Sequence, residues 1–470
     1  MIYARSMRML ILCLAAVAGF AQGPALPERL RDLAASPRFA RVHLGVHVRD
    51  LDTGRTVFAW NADKGFVPGS CAKLFTCASA LCGLGPEATF RTSVAAAGPL
   101  GADGTLAGDL LLVGRGDPML LARRNDGPWR PDPLEALADQ LVRAGLRRVR
   151  GDVVGDGRWF RTRPWGSGWE IQDRAFAYGA DVSALTVHDN MVDLRIYPGP
   201  APGRPCFLFP QPGLGLLPLA NRTATGPGPA IDLAWEGDTL VVTGALPPGA
   251  PPLTLAVPVR NPEAFAARLL RRSLERRGVQ VDGTARAVRD SDPTPGRELA
   301  GLDSRPLKDL VRATLKASNN LYAQLLLLQQ GRSEAAGLAA ERTFLEAAGI
   351  REGVILEEGS GLSRKNLVAP EALTALLATL DKRPEGPAFR AALPLAGVDG
   401  TLQARMGGSA AVGRVAAKTG TLRFTHGLAG YAEGPGGTRL AFALLLNGDP
   451  APDAREVLDR FVLLMAETAP

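Results

Sequence analysis

The chain has 470 residues, 46% apolar and 21% charged, a globular composition long enough for two or three domains with ordinary cores, which excludes a disordered polypeptide. Its formal charge of +7 comes from arginines that are dispersed and form no stripe, so no nucleic-acid partner is expected. No run beyond the first residues is apolar enough to cross a membrane, and no metal is expected: the four histidines are scattered, although His43 and His47 can share a strand face.

The opening stretch MIYARSMRMLILCLAAVAGFAQG places Arg5 and Arg8 before an apolar run from Met9 to Phe20 and then small residues, the pattern of a cleavable export signal over residues 1–21. Bulky Leu12 argues against lipid attachment at Cys13. Cleavage leaves a charge of +5 and the cysteines 71, 77, 82 and 206. Cys71 and Cys77, on one predicted helix, are separated by about 9 Å of rise, beyond disulfide reach, so most of these cysteines are expected as buried thiols.

ALPERLRDLAAS, residues 25–36, predicts a short amphipathic helix, and RVHLGVHVRDLDTGRTVFAW predicts two strands joined by a turn at Asp52-Thr53-Gly54. VPGSCAKLFTCASALCG follows as a helix stopped by Gly83 or by Gly85-Pro86. From about residue 89 to 295 the texture changes to short β-prone runs with many turns, dense in Pro and Gly over 198–229 and 246–258. Within it NPEAFAARLLRRSLERRG predicts a helix capped by Asn261 and stopped by Gly278. Helical patterns dominate after residue 300. GRVAAKTGTL, GLAGYAEG and TRLAFALLLNG then predict successive antiparallel strands, and PDAREVLDRFVLLMAET a closing helix. Strands at both ends with helices between them imply one α/β domain split by an insertion.

Only seven of the 54 basic residues are lysines, and two of them stand in chemically suggestive places. Ser70 and Lys73 are one helical turn apart, so the amine can reach the hydroxyl, and a desolvated lysine, unlike an arginine, can give up its proton and act as a base. Ser318-Asn319-Asn320 interrupts two apolar helical stretches, and Lys418-Thr419-Gly420-Thr421 lies at the end of a predicted strand. Taken singly, each has an ordinary structural explanation as a cap or turn. In this order they form an S-x-x-K, S-x-N, K-T-G set.

That set, with 245 residues between Lys73 and Ser318 and with GRGDPML, YGADVSALTVHDN, EEGSGLSRKNLVAP and GVDGTLQARM, resembles the class C low-molecular-mass penicillin-binding proteins, the D-alanyl-D-alanine carboxypeptidase/endopeptidases of peptidase family S13. The resemblance implies an α/β fold: a split, transpeptidase-like (β-lactamase-like) catalytic domain, its antiparallel sheet flanked by helices, with a large, mostly β insertion. The expected borders are 22–88 and 296–470 for the catalytic domain, 89–189 and 259–295 for an inserted domain, and 190–258 for a third domain nested in it.

The resemblance further implies that Ser70 attacks the carbonyl between two D-alanines, Lys73 takes its proton, Ser318 relays that proton and Asn320 holds the Lys73 amine and the substrate amide. The backbone N–H groups of Ser70 and Thr421 would form an oxyanion hole, while Lys418, Thr419, Gly420 and Thr421 bind the terminal carboxylate, with the Lys418 charge lowering the Lys73 pKa. The implied partners are peptidoglycan stem peptides and inhibitory β-lactam antibiotics. No cofactor is implied, a homodimer is compatible, and the implied location is the periplasm or another extracytoplasmic compartment. A serine β-lactamase and a non-catalytic peptidoglycan-binding scaffold are the alternatives. Three positions depart from the family's pattern: Gly69 where alanine is common, Asn319 where aspartate is usual, and Cys71 beside the nucleophile. Neither Gly69 nor Asn319 supplies a catalytic group, so tuning is expected there and not loss of activity.

Overall fold

A five-stranded antiparallel sheet joins the two ends of the chain, in the order Val415–Leu422, Thr425–Glu433, Arg439–Asn447, His43–Asp50, Thr56–Trp60. The computed structural model describes residues 24–121, 132–212, 215 and 217–468, so the proposed export signal lies outside the described residues. The early hairpin forms as its sequence predicts, with the Asp50 carboxylate accepting from the N–H groups of Asp52 and Thr53 in the turn. Its first strand pairs with the last strand of the chain, His43 opposite Asn447 through Asp50 opposite Leu440.

The central strand Arg439–Asn447 reads as an almost unbroken apolar run because both of its faces are covered. Leu440, Phe442, Leu444 and Leu446 pack with Leu26, Leu30, Phe461 and Met465 of the first and last helices, Leu26–Ala34 and Ala454–Glu467. Ala441, Ala443 and Leu445 face the opposite way, toward Leu74 and Phe75 of the helix Lys73–Leu84, Leu310 of Leu307–Ala317 and Leu373 of Pro370–Asp381. The period of two along the strand thus sorts its side chains into two separate cores.

Between residues 91 and 303 lies a second five-stranded sheet, ordered Ala285–Ala287, Val153–Asp156, Asp109–Val113, Arg91–Ala97, Glu298–Asp303. The chain leaves along Arg91–Ala97 and returns along Glu298–Asp303, antiparallel to it, with Asp303 opposite Arg91. Exit and return are therefore neighbours, and Ser318 comes back to the vicinity of Lys73 despite the distance in sequence. The helix Pro262–Glu275 forms where predicted, with the Asn261 side chain accepting from the Ala264 N–H. A second helix, Pro133–Arg143, runs through the region read above as short β-prone segments; Asp132 caps it, and Leu134, Leu137, Ala138 and Leu141 bury its inner face. Among the described residues three three-stranded sheets complete the region: Leu219–Thr225, Thr239–Leu246 and Asp232–Glu236 in one, Leu253–Pro258, Met191–Tyr197 and Phe207–Gln211 in the second, and Gln280–Val281, Arg148–Val149 and Thr105–Leu106 in the third.

Candidate active site

Ser70 sits in a 3-10 turn, Gly69–Ala72, and the α-helix begins only at Lys73, so the predicted helix is tighter at its start while the Ser70–Lys73 spacing still brings the side chains together. The Lys73 side chain is fully buried. Its Nζ donates to Ser70 Oγ at 2.8 Å, to Asn320 Oδ1 at 2.6 Å and to the Ser360 carbonyl at 2.6 Å. Burial, followed by the positive charge of Lys418, brings the amine down to about 7, against the opposing charge of Glu358. Both causes expected from the sequence, desolvation and the Lys418 charge, act here, and burial is the larger.

Ser318 follows the helix Leu307–Ala317 in a left-handed conformation, φ 58°, which costs a non-glycine residue about 1–2 kcal/mol. The next two residues hold it there. Asn319 caps the helix Asn320–Gln329, its side-chain oxygen accepting from the Tyr322 N–H at 3.1 Å. Asparagine and aspartate cap helices about equally well, so the unusual middle residue of this motif keeps its structural task. Asn320 turns its oxygen to Lys73 and donates through Nδ2 to the Tyr178 carbonyl at 2.9 Å, so a backbone group from the inserted region orients it.

The Ser318 hydroxyl accepts from Lys418 Nζ at 2.8 Å. Lys418 lies on the sheet's edge strand, fully buried, and also donates to the Thr419 carbonyl at 2.8 Å. Burial lowers its amine to about 8. The Thr419 hydroxyl bonds the Thr401 hydroxyl at 2.8 Å, whereas Thr421 is exposed.

Glycines set how closely the Ser70 turn meets this strand. Gly69 has φ +52°, and a methyl built on it would lie 3.1 Å from the Thr421 nitrogen; one built on Gly420 would lie 2.3 Å from the Pro68 carbonyl oxygen. The two backbone segments proposed as the oxyanion hole are in this way held side by side. Cys71 now has a physical explanation. Its thiol is 3.5 Å from the Lys418 carbonyl, and it fills the space over Gly420 and Gly427, where added methyls would come within 3.2 and 3.0 Å of its sulfur. Burial pushes this thiol up to about 11, so it is a small packing residue and not a nucleophile. Cys71, Cys77, Cys82 and Cys206 are all free, and all but Cys82 are buried.

The structure brings the expected site residues together as two hydrogen-bonded groups, Lys73 with Ser70 and Asn320, and Lys418 with Ser318, the Lys418 charge acting on Lys73, with Thr419, Gly420 and Thr421 along the adjoining strand. Sequence reasoning missed the carbonyls of Ser360 and Tyr178, because a backbone acceptor has no residue signature. Glu358 entered the sequence reasoning only within EEGSGLSRKNLVAP, one of the stretches that carry the resemblance, with no role of its own. That carboxylate is fully buried and accepts from Ser360, Gly361, Ser363, Asn366 and Trp169.

Comparison with known proteins gives concordant matches. The family model described as the D-Ala-D-Ala carboxypeptidase 3 (S13) family matches residues 26–468. A D-alanyl-D-alanine carboxypeptidase of Actinomadura sp. (strain R39) is 35% identical, over 96% of this chain and 86% of that protein. The crystal structure of penicillin-binding protein 4 (dacB) from Haemophilus influenzae superposes with a TM-score of 0.81 at 27% identity, covering 92% of this chain and 97% of the other. The same Haemophilus influenzae protein complexed with a β-lactam gives a TM-score of 0.75 at 26% identity, again covering 92% and 97% of the two chains.

Proposed function

This chain belongs to the D-Ala-D-Ala carboxypeptidase 3 (S13) family, and from that premise we propose that it is a serine enzyme working through a covalent acyl intermediate on Ser70. The coarser activity is that of a D-alanyl-D-alanine carboxypeptidase, a hydrolase acting on peptidoglycan peptides. The observation that carries the finer reading is the 2.8 Å contact between Lys73 Nζ and Ser70 Oγ, made by an amine whose burial leaves it neutral in part at neutral pH.

Neutral Lys73 accepts the Ser70 proton as Oγ forms a bond to the carbonyl carbon between two D-alanines. Negative charge then develops on the carbonyl oxygen, where the N–H groups of Ser70 and Thr421 donate to it. As the C–N bond breaks, the proton passes through the Ser318 hydroxyl to the leaving amine. Lys418, with Thr419 and Thr421, holds the terminal carboxylate as a point charge with hydroxyl neighbours. Water hydrolyses the ester, releasing the shortened peptide and restoring Ser70.

When the leaving amine is that of free D-alanine, the reaction is carboxypeptidase cleavage; when it belongs to a diaminopimelate side chain, a cross-link is opened and the activity is that of an endopeptidase. An extended stem peptide laid against the edge strand Val415–Leu422 would bring its D-Ala-D-Ala end to Ser70. β-Lactams acylate the same serine in this reading, which the β-lactam complex of the Haemophilus influenzae relative supports. Export to the periplasm or an equivalent extracytoplasmic compartment belongs to the same proposal, on the strength of the pattern in residues 1–21.

The test is the intact mass of the mature protein after brief exposure to benzylpenicillin, beside Ser70→Ala. One long-lived penicilloyl adduct in the wild type and none in the variant is expected. Drug destroyed without an adduct would point to a β-lactamase, and drug left intact without an adduct to a scaffold.

A further inference from the structure

A neutral lysine amine has two N–H bonds and one lone pair, and general-base catalysis needs that lone pair turned toward Ser70. Three groups surround Lys73 Nζ: the Ser70 hydroxyl, which can donate, and Asn320 Oδ1 and the Ser360 carbonyl, which can only accept. The two acceptors take the two amine protons, and the lone pair is left facing Ser70. Asn320 cannot flip without losing its bond to the Tyr178 carbonyl. The other acceptor depends on the loop that contains Ser360.

That loop is wrapped around one side chain. Glu358 accepts the backbone N–H groups of Ser360 and Gly361, each at 2.7 Å, the Ser360 hydroxyl at 2.6 Å, the Ser363 N–H at 3.3 Å and the Asn366 amide at 3.0 Å. From the inserted region the Trp169 indole N–H donates to it at 3.1 Å. Gly359 is tied separately to Gln324 on the Asn320 helix, at 2.9 Å.

We propose that Glu358 is a positioning residue for acylation: by gathering the N–H groups of Ser360, Gly361 and Ser363 it aims the Ser360 carbonyl at Lys73, so that the neutral amine presents its lone pair to Ser70. This inference rests on the Ser70–Lys73 reading given above. Glu358 acts on Lys73 through its charge as well as through Ser360. The charged and titratable groups facing Lys73 are Lys418, Glu358, Cys77 and Cys71, and of these the two lysine and glutamate charges oppose one another. On its far side Glu358 faces Glu334 and Glu341 of the helix Glu334–Ala347.

The experiment compares the rate of benzylpenicillin acylation as a function of pH in the wild type, Glu358→Gln and Glu358→Asp. Glutamine removes the charge that favours the Lys73 ammonium and turns an NH2 group toward backbone donors. Its acid limb is expected to move to lower pH by about one unit, with a plateau lower by roughly tenfold or more from the misplaced carbonyl. Aspartate keeps the charge but withdraws it from the loop, so its plateau falls while its acid limb stays in place. Equal plateau losses with both limbs unmoved would reduce Glu358 to a structural loop residue and overturn the proposal. A wild-type plateau in Glu358→Asp would overturn it even if Glu358→Gln does not fold. Absence of any adduct in the wild type would instead strike at the Ser70 reading, so the two failures are distinguishable.

Discussion

Two lysines at the centre of the site have opposite requirements. Lys73 must be neutral to accept a proton, and Lys418 must be charged to hold a carboxylate. Burial lowers both, to about 7 and about 8 respectively, so the neutral form of one and the charged form of the other coexist in a narrow window. The acylation rate is therefore expected to rise through about pH 7 as Lys73 loses its proton and to fall above about pH 8 as Lys418 loses its own. The two limbs belong to the coupled pair more than to either residue. Single-turnover acylation by benzylpenicillin across the neutral range checks this, and a rate still climbing well above pH 8 would contradict the assignment of Lys418. The scarcity of lysine made these two positions legible in the sequence. Their burial was not, since it depends on side chains and carbonyls contributed from distant segments.

The site is set by how a turn meets a strand. The Pro68–Cys71 segment and the edge strand Val415–Leu422 approach so closely that only glycine fits at 420, where a methyl would lie 2.3 Å from the Pro68 oxygen. The obstacle is a backbone atom and cannot rotate aside. Gly420→Ala is expected to separate turn and strand and lower acylation on the order of a hundredfold, the loss typical of a displaced oxyanion donor, while the remaining sheet keeps its fold. Parallel measurement of acylation and thermal unfolding separates these effects; a wild-type rate would show that the contact does not set the oxyanion geometry. Most elements were readable from local pattern because caps and periodicity are local. The helix Pro133–Arg143 shows the same signals as Pro262–Glu275, an Asx cap followed by proline and an apolar stripe, yet the turn-rich sequence around it suggested strands.

Across the whole molecule, polar groups buried behind the site make stability depend on pH. Glu341, on the helix Glu334–Ala347 against the Lys73 helix, is fully buried; Thr76 donates to one of its oxygens at 3.3 Å, and the other has no partner among the described residues. Burial raises this carboxyl from an ordinary value of 4.5 to about 8. Between those values the folded chain binds a proton that the unfolded chain has lost, so stability falls as pH rises through the window. Glu341→Gln should remove that contribution, matching the wild type near pH 4.5 and exceeding it by at least about 1 kcal/mol near pH 8. Thermal or urea unfolding at the two pH values decides, and an unchanged pH dependence would show that Glu341 is solvated or paired in solution.

The sequence by itself determined the three motifs, their order, the long interval between the first two and the strands that end the chain, because spacing along a turn or strand is a local property. Only the tertiary structure decided that Lys73 is buried, that the Ser360 and Tyr178 carbonyls orient its neighbourhood, and that Glu358 organises a loop beside it. Backbone acceptors look alike in every residue, and desolvation belongs to a packed environment and not to a motif. The adjacent strands Arg91–Ala97 and Glu298–Asp303 make that environment accessible to distant residues by returning the chain beside the point where it left.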